Sequence, residues 1–213
     1  MIINNLEQDK NQSWFKENQV NLFYSKIYYC KIERYQSVDA ELKEALKDVD
    51  WRRKDSWGKT HFLSDPTFKE NFIEEKNLKI FKQEIEYHVG QYTKLHGKVL
   101  KKFAKNYDIV DSWAAKFEPG DYAHVHNHGY ADIAGVYYYK RPTSKSKHCG
   151  NIFFNAPGPE YNANPLYSPM ARASWYFPEG TLVLFPGFLP HGVETNETEK
   201  DRISISFNIR LRR

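Results

Sequence analysis

The chain has 213 residues, 40% of them hydrophobic and 16% aromatic, with a formal charge of +4; that is enough for one substantial domain and rather short for two. Charges are scattered instead of gathered in basic blocks, so charge alone does not imply nucleic-acid binding, and an acidic small molecule would be equally welcome. Cys30 and Cys149 are the only cysteines, which excludes a disulfide framework or a CxxC metal site and fits a reducing compartment. The polar N-terminus lacks a signal-peptide pattern and no apolar run is long enough to span a membrane, so a soluble, cytoplasmic protein is expected.

Residues 1–20 are polar and read as loosely held. Residues 21–33 (NLFYSKIYYCKIE) are aromatic and β-branched with partial alternation, an early strand. Residues 37–51 read as a helix with Ser37 as N-cap and an apolar face of Ala40, Leu42, Ala45 and Leu46. Asp65–Pro66 reads as an N-cap followed by proline at the first helical position. From there to about Lys98 the pattern is helical, with a break near Asn77. Phe81, Ile85, Val89, Tyr92 and Leu95 recur at helical spacing.

After Lys102 the texture changes to short strand-like runs separated by turns rich in Pro, Gly, Asn and Ser. This density of short strands implies an antiparallel sandwich or barrel, with the helices of the first half covering one outer face. The chain therefore reads as one domain, 1–213, in which 1–102 flanks a β-rich core at 103–213. The loop at 156–173 (APGPEYNANPLYSPMARA) is long, without periodicity, and a candidate substrate lid.

The run HNHGYADIAGVYYY (126–139) reads as one continuous strand carrying His126 and His128 on the same face, within reach of one metal ion. His124 extends the series at period two; such a face is costly to bury without partners, and a metal provides one. His191 follows the strand TLVLF, and eleven residues on comes Arg202, which opens RISISFNIR. There Arg202, Ser204, Ser206 and Asn208 share one face, and Ile203, Ile205, Phe207 and Ile209 the other. The second face is core. The first is polar in an otherwise buried strand and reads as a cavity wall, where an arginine matches a carboxylate bidentately. His61, His88, His96 and His148 read as ordinary surface or core residues, and Trp113 and Trp175 as core.

HNHGYADIAGVYYY, GTLVLFPGFLPHGVETN and RISISFN resemble, in that order, the signatures of a 2-oxoglutarate/Fe(II) oxygenase family found in bacteria and bacteriophages. The resemblance covers roughly residues 110–210. It implies a double-stranded β-helix, a cupin-like jelly roll with flanking helices. It also implies Fe(II) on His126, His128 and His191, with 2-oxoglutarate and O2 as co-substrates. Arg202 with Ser204 is similar to the R-x-S pair that holds the far carboxylate of 2-oxoglutarate. The implied reaction couples oxidative decarboxylation of 2-oxoglutarate to substrate oxidation, usually hydroxylation.

The superfamily's common motif is HxD, and here His128 takes the second place. Either the triad is all histidine or a carboxylate completes it; Asp132 is the obvious candidate, although four extended residues span about 13 Å. Asp121 and His124 are weaker candidates. Tyr137 and Tyr139 share one strand face and Tyr138 the other; a hydroxyl at Tyr137 is a candidate for binding 2-oxoglutarate. Asn151 and Asn155 are candidates for the cavity or for turns. Two other readings remain: a cupin-like metal enzyme that does not use 2-oxoglutarate, and a metal-binding jelly-roll module without turnover.

Overall fold

The computed structural model describes residues 25–58, 60–97, 103, 105–158 and 171–212. The expectations for residues 1–20 and for most of the 156–173 loop fall outside them. Eleven strands are described: β1 (Tyr28–Lys31), β2 (Arg52–Arg53), β3 (Phe62–Leu63), β4 (Tyr107–Phe117), β5 (Ala123–His126), β6 (Ile133–Lys140), β7 (Ile152–Asn155), β8 (Arg172–Trp175), β9 (Thr181–Pro186), β10 (His191–Val193) and β11 (Arg202–Leu211). All pair antiparallel, in a seven-stranded sheet ordered β1-β9-β6-β11-β4-β3-β2 and a four-stranded sheet ordered β5-β10-β7-β8. This is the jelly-roll architecture expected from the sequence.

The helices are α1 (Tyr35–Ala45), α2 (Phe72–Glu75) and α3 (Lys79–Leu95). Two expected caps are corrected. Ser37 lies inside α1, because the Arg34 carbonyl already accepts the backbone N–H groups of Ser37 and Val38. The Asp65 carboxylate accepts the N–H groups of Thr67, Lys69 and Glu70, but it ties a non-helical bend. The helical pattern instead resumes at Phe72 behind an Asn71 cap and breaks at Asn77, whose φ is 52°. Ala40 is exposed, and α1 buries Val38, Leu42 and Ala45.

Alternation along the strands divides the interior in two. Ile133, Tyr137, Leu182, Leu184, Ile205, Phe207 and Ile209 face the helices and pack on Leu42, Phe81, Ile85 and Val89. Ala134, Val136, Tyr138, Val183 and Phe185 face the other way, onto Ile152 and Phe154 of the four-stranded sheet. Between the sheets lies the cavity that concerns the rest of the molecule. Both cysteines are free thiols.

Candidate metal and co-substrate site

The run from His126 to Tyr139 is not one strand. β5 ends at His126 in the four-stranded sheet, and β6 begins at Ile133 in the seven-stranded one. Residues 127–132 cross between the sheets, so His128 sits on a turn. Two hydrogen bonds fix it there: its N–H donates 2.7 Å to the Gly187 carbonyl, and its own carbonyl accepts from Ala131 at 2.8 Å. Gly187 must be glycine for this approach, since a Cβ there would lie 2.2 Å from the Ala131 oxygen. His126 and His191 meet differently, as direct cross-strand partners in the β5–β10 ladder.

The three histidines converge. One ring nitrogen of each lies within 4.8 Å of the others, with His128 and His191 buried and His126 half-buried. Every Nδ1 already has an acceptor: the His124 carbonyl for His126 (2.8 Å), the Leu189 carbonyl for His191 (2.9 Å), and the Asn208 side-chain oxygen for His128 (2.5 Å). A carbonyl oxygen can only accept, so Nδ1 carries the proton and the Nε2 lone pairs are left for a cation. Burial lowers the pKa of all three rings, that of His128 to about 4. All three are therefore neutral near pH 7, as metal ligands must be.

The support behind His128 extends further. Asn208 pairs with Asp111 across β11 and β4. Its side-chain N–H2 donates to the Asp111 carboxylate and to the Tyr130 hydroxyl, both at 2.7 Å. An ionised carboxylate only accepts, so it forces the Asn208 amide nitrogen toward itself and the oxygen toward His128. Asp111 thus sets the His128 tautomer through two hydrogen bonds, the role that outer-shell groups play at metal sites. The polar face read from RISISFN placed Asn208 correctly, but its partner Asp111 is 97 residues away and left no local signal.

The alternative carboxylates are elsewhere. Asp132 accepts the backbone N–H of Leu211 at 2.8 Å and is absent from the histidine cluster. Asp121 is buried and accepts two hydrogen bonds from the Arg53 guanidinium, at 2.9 and 3.2 Å. The His124 carbonyl serves His126, while its exposed ring flanks the cavity.

The cavity, of about 170 Å3, runs from the histidines to Arg202, Ser204 and Ser206 on β11. Arg202 is 1% exposed, with Nη1 3.4 Å from Ser204 Oγ and its guanidinium over the faces of Phe117 and Tyr138. Its Nε has no partner. Burial pulls its pKa down to about 10, so it remains a cation at neutral pH. A buried guanidinium without an acid is costly unless a ligand anion completes it.

Tyr137 corrects the sequence reading. Its hydroxyl donates 2.8 Å to Asp39 on the helix side, away from the cavity. Tyr138 is the tyrosine inside: fully buried, lining the cavity beside Arg202, its hydroxyl without a partner. Burial raises its pKa, which keeps the proton on and makes it a donor. Asn151 is structural, accepting from Arg141 and donating to the Lys147 carbonyl, while the Asn155 side-chain oxygen is buried without a partner.

Sequence reading missed several wall residues. His61 stacks on Phe117 with centroids 4.5 Å apart. Trp57, Phe68 and Trp113 build an aromatic wall toward His126 and His128. Trp113 is buried as expected but also lines the cavity. Trp57, His61 and Phe68 come from one short stretch and Trp113 from β4, far in sequence from the histidines, and they share no motif.

A family model described as "Putative 2OG-Fe(II) oxygenase" matches residues 111–208. Among solved structures, the non-heme α-ketoglutarate-dependent epimerase SnoN of nogalamycin biosynthesis is similar, with TM-score 0.59 and 12% identity over 87% of this chain and 78% of that one. HygX from Streptomyces hygroscopicus, solved with nickel and 2-oxoglutarate bound, matches with TM-score 0.56 and 10% identity over 87% and 82%. The carbocyclase SnoK of nogalamycin biosynthesis matches with TM-score 0.55 and 12% identity over 87% and 79%. At such identities the likeness is one of fold. No match was found among curated proteins.

Proposed function

We propose, from the match of residues 111–208 to a 2OG-Fe(II) oxygenase family model, that the cavity between the sheets is the active site of a hydroxylase using Fe(II), 2-oxoglutarate and O2. One observation carries the assignment of residues. A single cavity holds three histidines with free Nε2 atoms near one end and a buried arginine without an acid near the other. A 2-oxoacid with a second carboxylate has the matching chemistry, a chelating head for a metal and an anionic tail for a guanidinium.

On this reading His126, His128 and His191 hold the iron, which when bound supplies the activation of O2 coupled to decarboxylation of 2-oxoglutarate. The protein's own part is orientation and exclusion. The three Nδ1 hydrogen bonds lock the rings so that their lone pairs converge, and Asp111, through Asn208, holds His128 in its tautomer. Arg202, with Ser204 beside it and the Tyr138 hydroxyl as a further donor, receives the far carboxylate. Phe117 and Tyr138, whose rings lie against the Arg202 guanidinium, keep that end dry, which strengthens the ion pair. The aromatic wall of Trp57, Phe68 and Trp113 faces the histidines and suits an apolar part of the oxidised substrate.

On this view the chain is one functional unit in the cytoplasm, with the described helices before residue 103 packed on the β-rich core. Anaerobic titration of the metal-free protein with Fe(II) and then 2-oxoglutarate tests the assignment. A weak visible charge-transfer band that needs both, and is lost in Arg202→Met, is expected. Iron binding without the band would transfer the site to a cupin-like metal enzyme, and no iron binding would remove the metal assignment.

A further inference from the structure

A second arginine stands behind the first. Arg141, just after β6, is 3% exposed. It meets Arg202 around Gly150, where a Cβ would lie 2.8 Å from Arg141 Nη1 and 3.3 Å from Arg202 Cδ; with φ at +55°, that position favours glycine twice over. Arg141 donates through Nη2 to the Cys149 carbonyl (2.7 Å) and the Asn151 side chain (2.8 Å). Its Nε and Nη1 are buried and have no acceptor. Its outer face lies over Tyr176, 4.8 Å from the ring centre.

Among the described residues no Asp or Glu forms an ion pair with Arg141 or Arg202. The Glu179 carboxylate accepts the backbone N–H of Arg141, not its guanidinium. Two guanidiniums are therefore buried side by side, with Arg202 Nε, Arg141 Nε, Arg141 Nη1 and the Tyr138 hydroxyl all unsatisfied. Each group costs free energy to bury, and like charges add to the cost. Core packing alone would be served better by an apolar residue at 141. An anion that enters the cavity can meet Arg202 and the Tyr138 hydroxyl directly and offsets the charge of Arg141 behind them.

We infer that Arg141 is a positioning residue for the co-substrate: with Arg202 it makes the deep end of the cavity a two-guanidinium subsite, which selects a 2-oxoacid ending in a carboxylate. Arg202 lines the cavity and touches the anion; Arg141, outside the cavity wall, acts from behind through its charge and by holding Arg202 toward the ligand. The inference rests on the co-substrate reading above.

The test compares 2-oxoglutarate with 2-oxovalerate, a 2-oxoacid of equal carbon number that lacks the distal carboxylate. Binding of each to the full chain loaded with Ni(II) is measured by calorimetry, without turnover. Arg141→Met should weaken 2-oxoglutarate on the order of 10-fold or more, as expected for loss of a nearby buried charge, and leave 2-oxovalerate unchanged. Arg141→Lys should recover most of the loss. Should the Met variant fail to fold, Arg141→Gln, which keeps donors for Cys149 and Asn151, carries the same expectation. An unchanged ratio of the two affinities, whether both fall or neither does, overturns the inference. Collapse of 2-oxoglutarate binding in Arg202→Met with none in Arg141→Met removes Arg141 alone. A wild-type protein that does not prefer 2-oxoglutarate removes the co-substrate reading with it.

Discussion

Asp111→Asn isolates the one support of the histidine triad that a side chain provides. His126 and His191 lean on backbone carbonyls, which substitution of their neighbours leaves in place. His128 leans on Asn208, whose orientation depends on the Asp111 carboxylate. An asparagine at 111 keeps the shape but can accept or donate, so the Asn208 amide is free to turn. In the turned state its N–H2 faces His128 Nδ1, the ring proton moves to Nε2, and the lone pair for the metal is lost. A hydrogen bond to a charged group contributes about 1.5–3 kcal/mol against about 1 for a neutral pair. The bias lost is thus about 0.5–2 kcal/mol, or roughly 2–30-fold in metal affinity, overlapping the range for outer-shell substitutions.

Competition between the protein and a chromophoric chelator for Co(II) or Fe(II) would measure that loss, and thermal melting of the metal-free protein gives the control. Burial raises the Asp111 pKa, so removing its charge relieves desolvation. Metal-free stability should hold or rise while metal affinity falls. A metal affinity within twofold of wild type in Asp111→Asn, alongside loss of metal in His128→Ala, would refute the tautomer argument.

Gly187→Ala should lower metal affinity, because its Cβ would displace the Ala131 carbonyl and with it the turn that carries His128; a structure of the variant with that turn unmoved would contradict this. Tyr138→Phe should weaken 2-oxoglutarate binding several-fold, whereas Tyr137→Phe should cost about 1 kcal/mol of stability through its bond to Asp39 and leave the co-substrate alone; calorimetry and urea melts distinguish them. Burial pulls the pKa of His61 down to about 3, so the unfolded state binds its proton first. That contribution to stability is complete above pH 6.5 and is lost as pH falls from 6.5 toward 3, by about 1.4 kcal/mol per unit. His61→Phe, which keeps a ring against Phe117, should flatten the pH dependence of urea unfolding in the metal-free protein, and equal slopes would count against it.

What the sequence disclosed depended on whether the signal was local. RISISFNIR alternates cleanly, so both faces of β11 were readable without knowing their partners. The histidine spacing set His124, His126 and His128 on one face, whereas the fold gathers His126 and His128 with His191, which the family resemblance and not the spacing supplied. Asn127, Gly129 and Asp132 are poor strand residues and mark a break in HNHGYADIAGVYYY, but propensity does not report that the segments on either side join different sheets. The same blindness explains the tyrosines. In YYY no polar residue marks the solvent side, so the parity that turns Tyr137 to the helices and Tyr138 to the cavity had to come from the register with β9 and β11. Asp65 carried a true capping signature and still did not begin a helix, since its carboxylate closes a bend of its own. Asp111, His61 and Arg141 carry no local mark.

Charge gives the site its last property. If the three histidines hold the metal, a histidine in place of the usual carboxylate would leave three neutral ligands around a dication, with the nearest compensation at Asp111, two hydrogen bonds behind His128. At the far end Arg202 and Arg141 add two more positive charges, while Arg53 is already matched by Asp121. The filled-metal cavity is therefore strongly positive and enclosed, and a dianion answers both ends at once. Metal and 2-oxoglutarate should then bind cooperatively, and by linkage each must tighten the other by the same factor. Calorimetric titration of metal with and without 2-oxoglutarate, and of 2-oxoglutarate with and without metal, reads that factor twice. Because the charges are buried, it should survive 0.5 M salt, which would erase a surface effect. A factor near one would mean that the histidines and the arginines do not serve the same ligand, and the co-substrate would have to be sought elsewhere in the cavity.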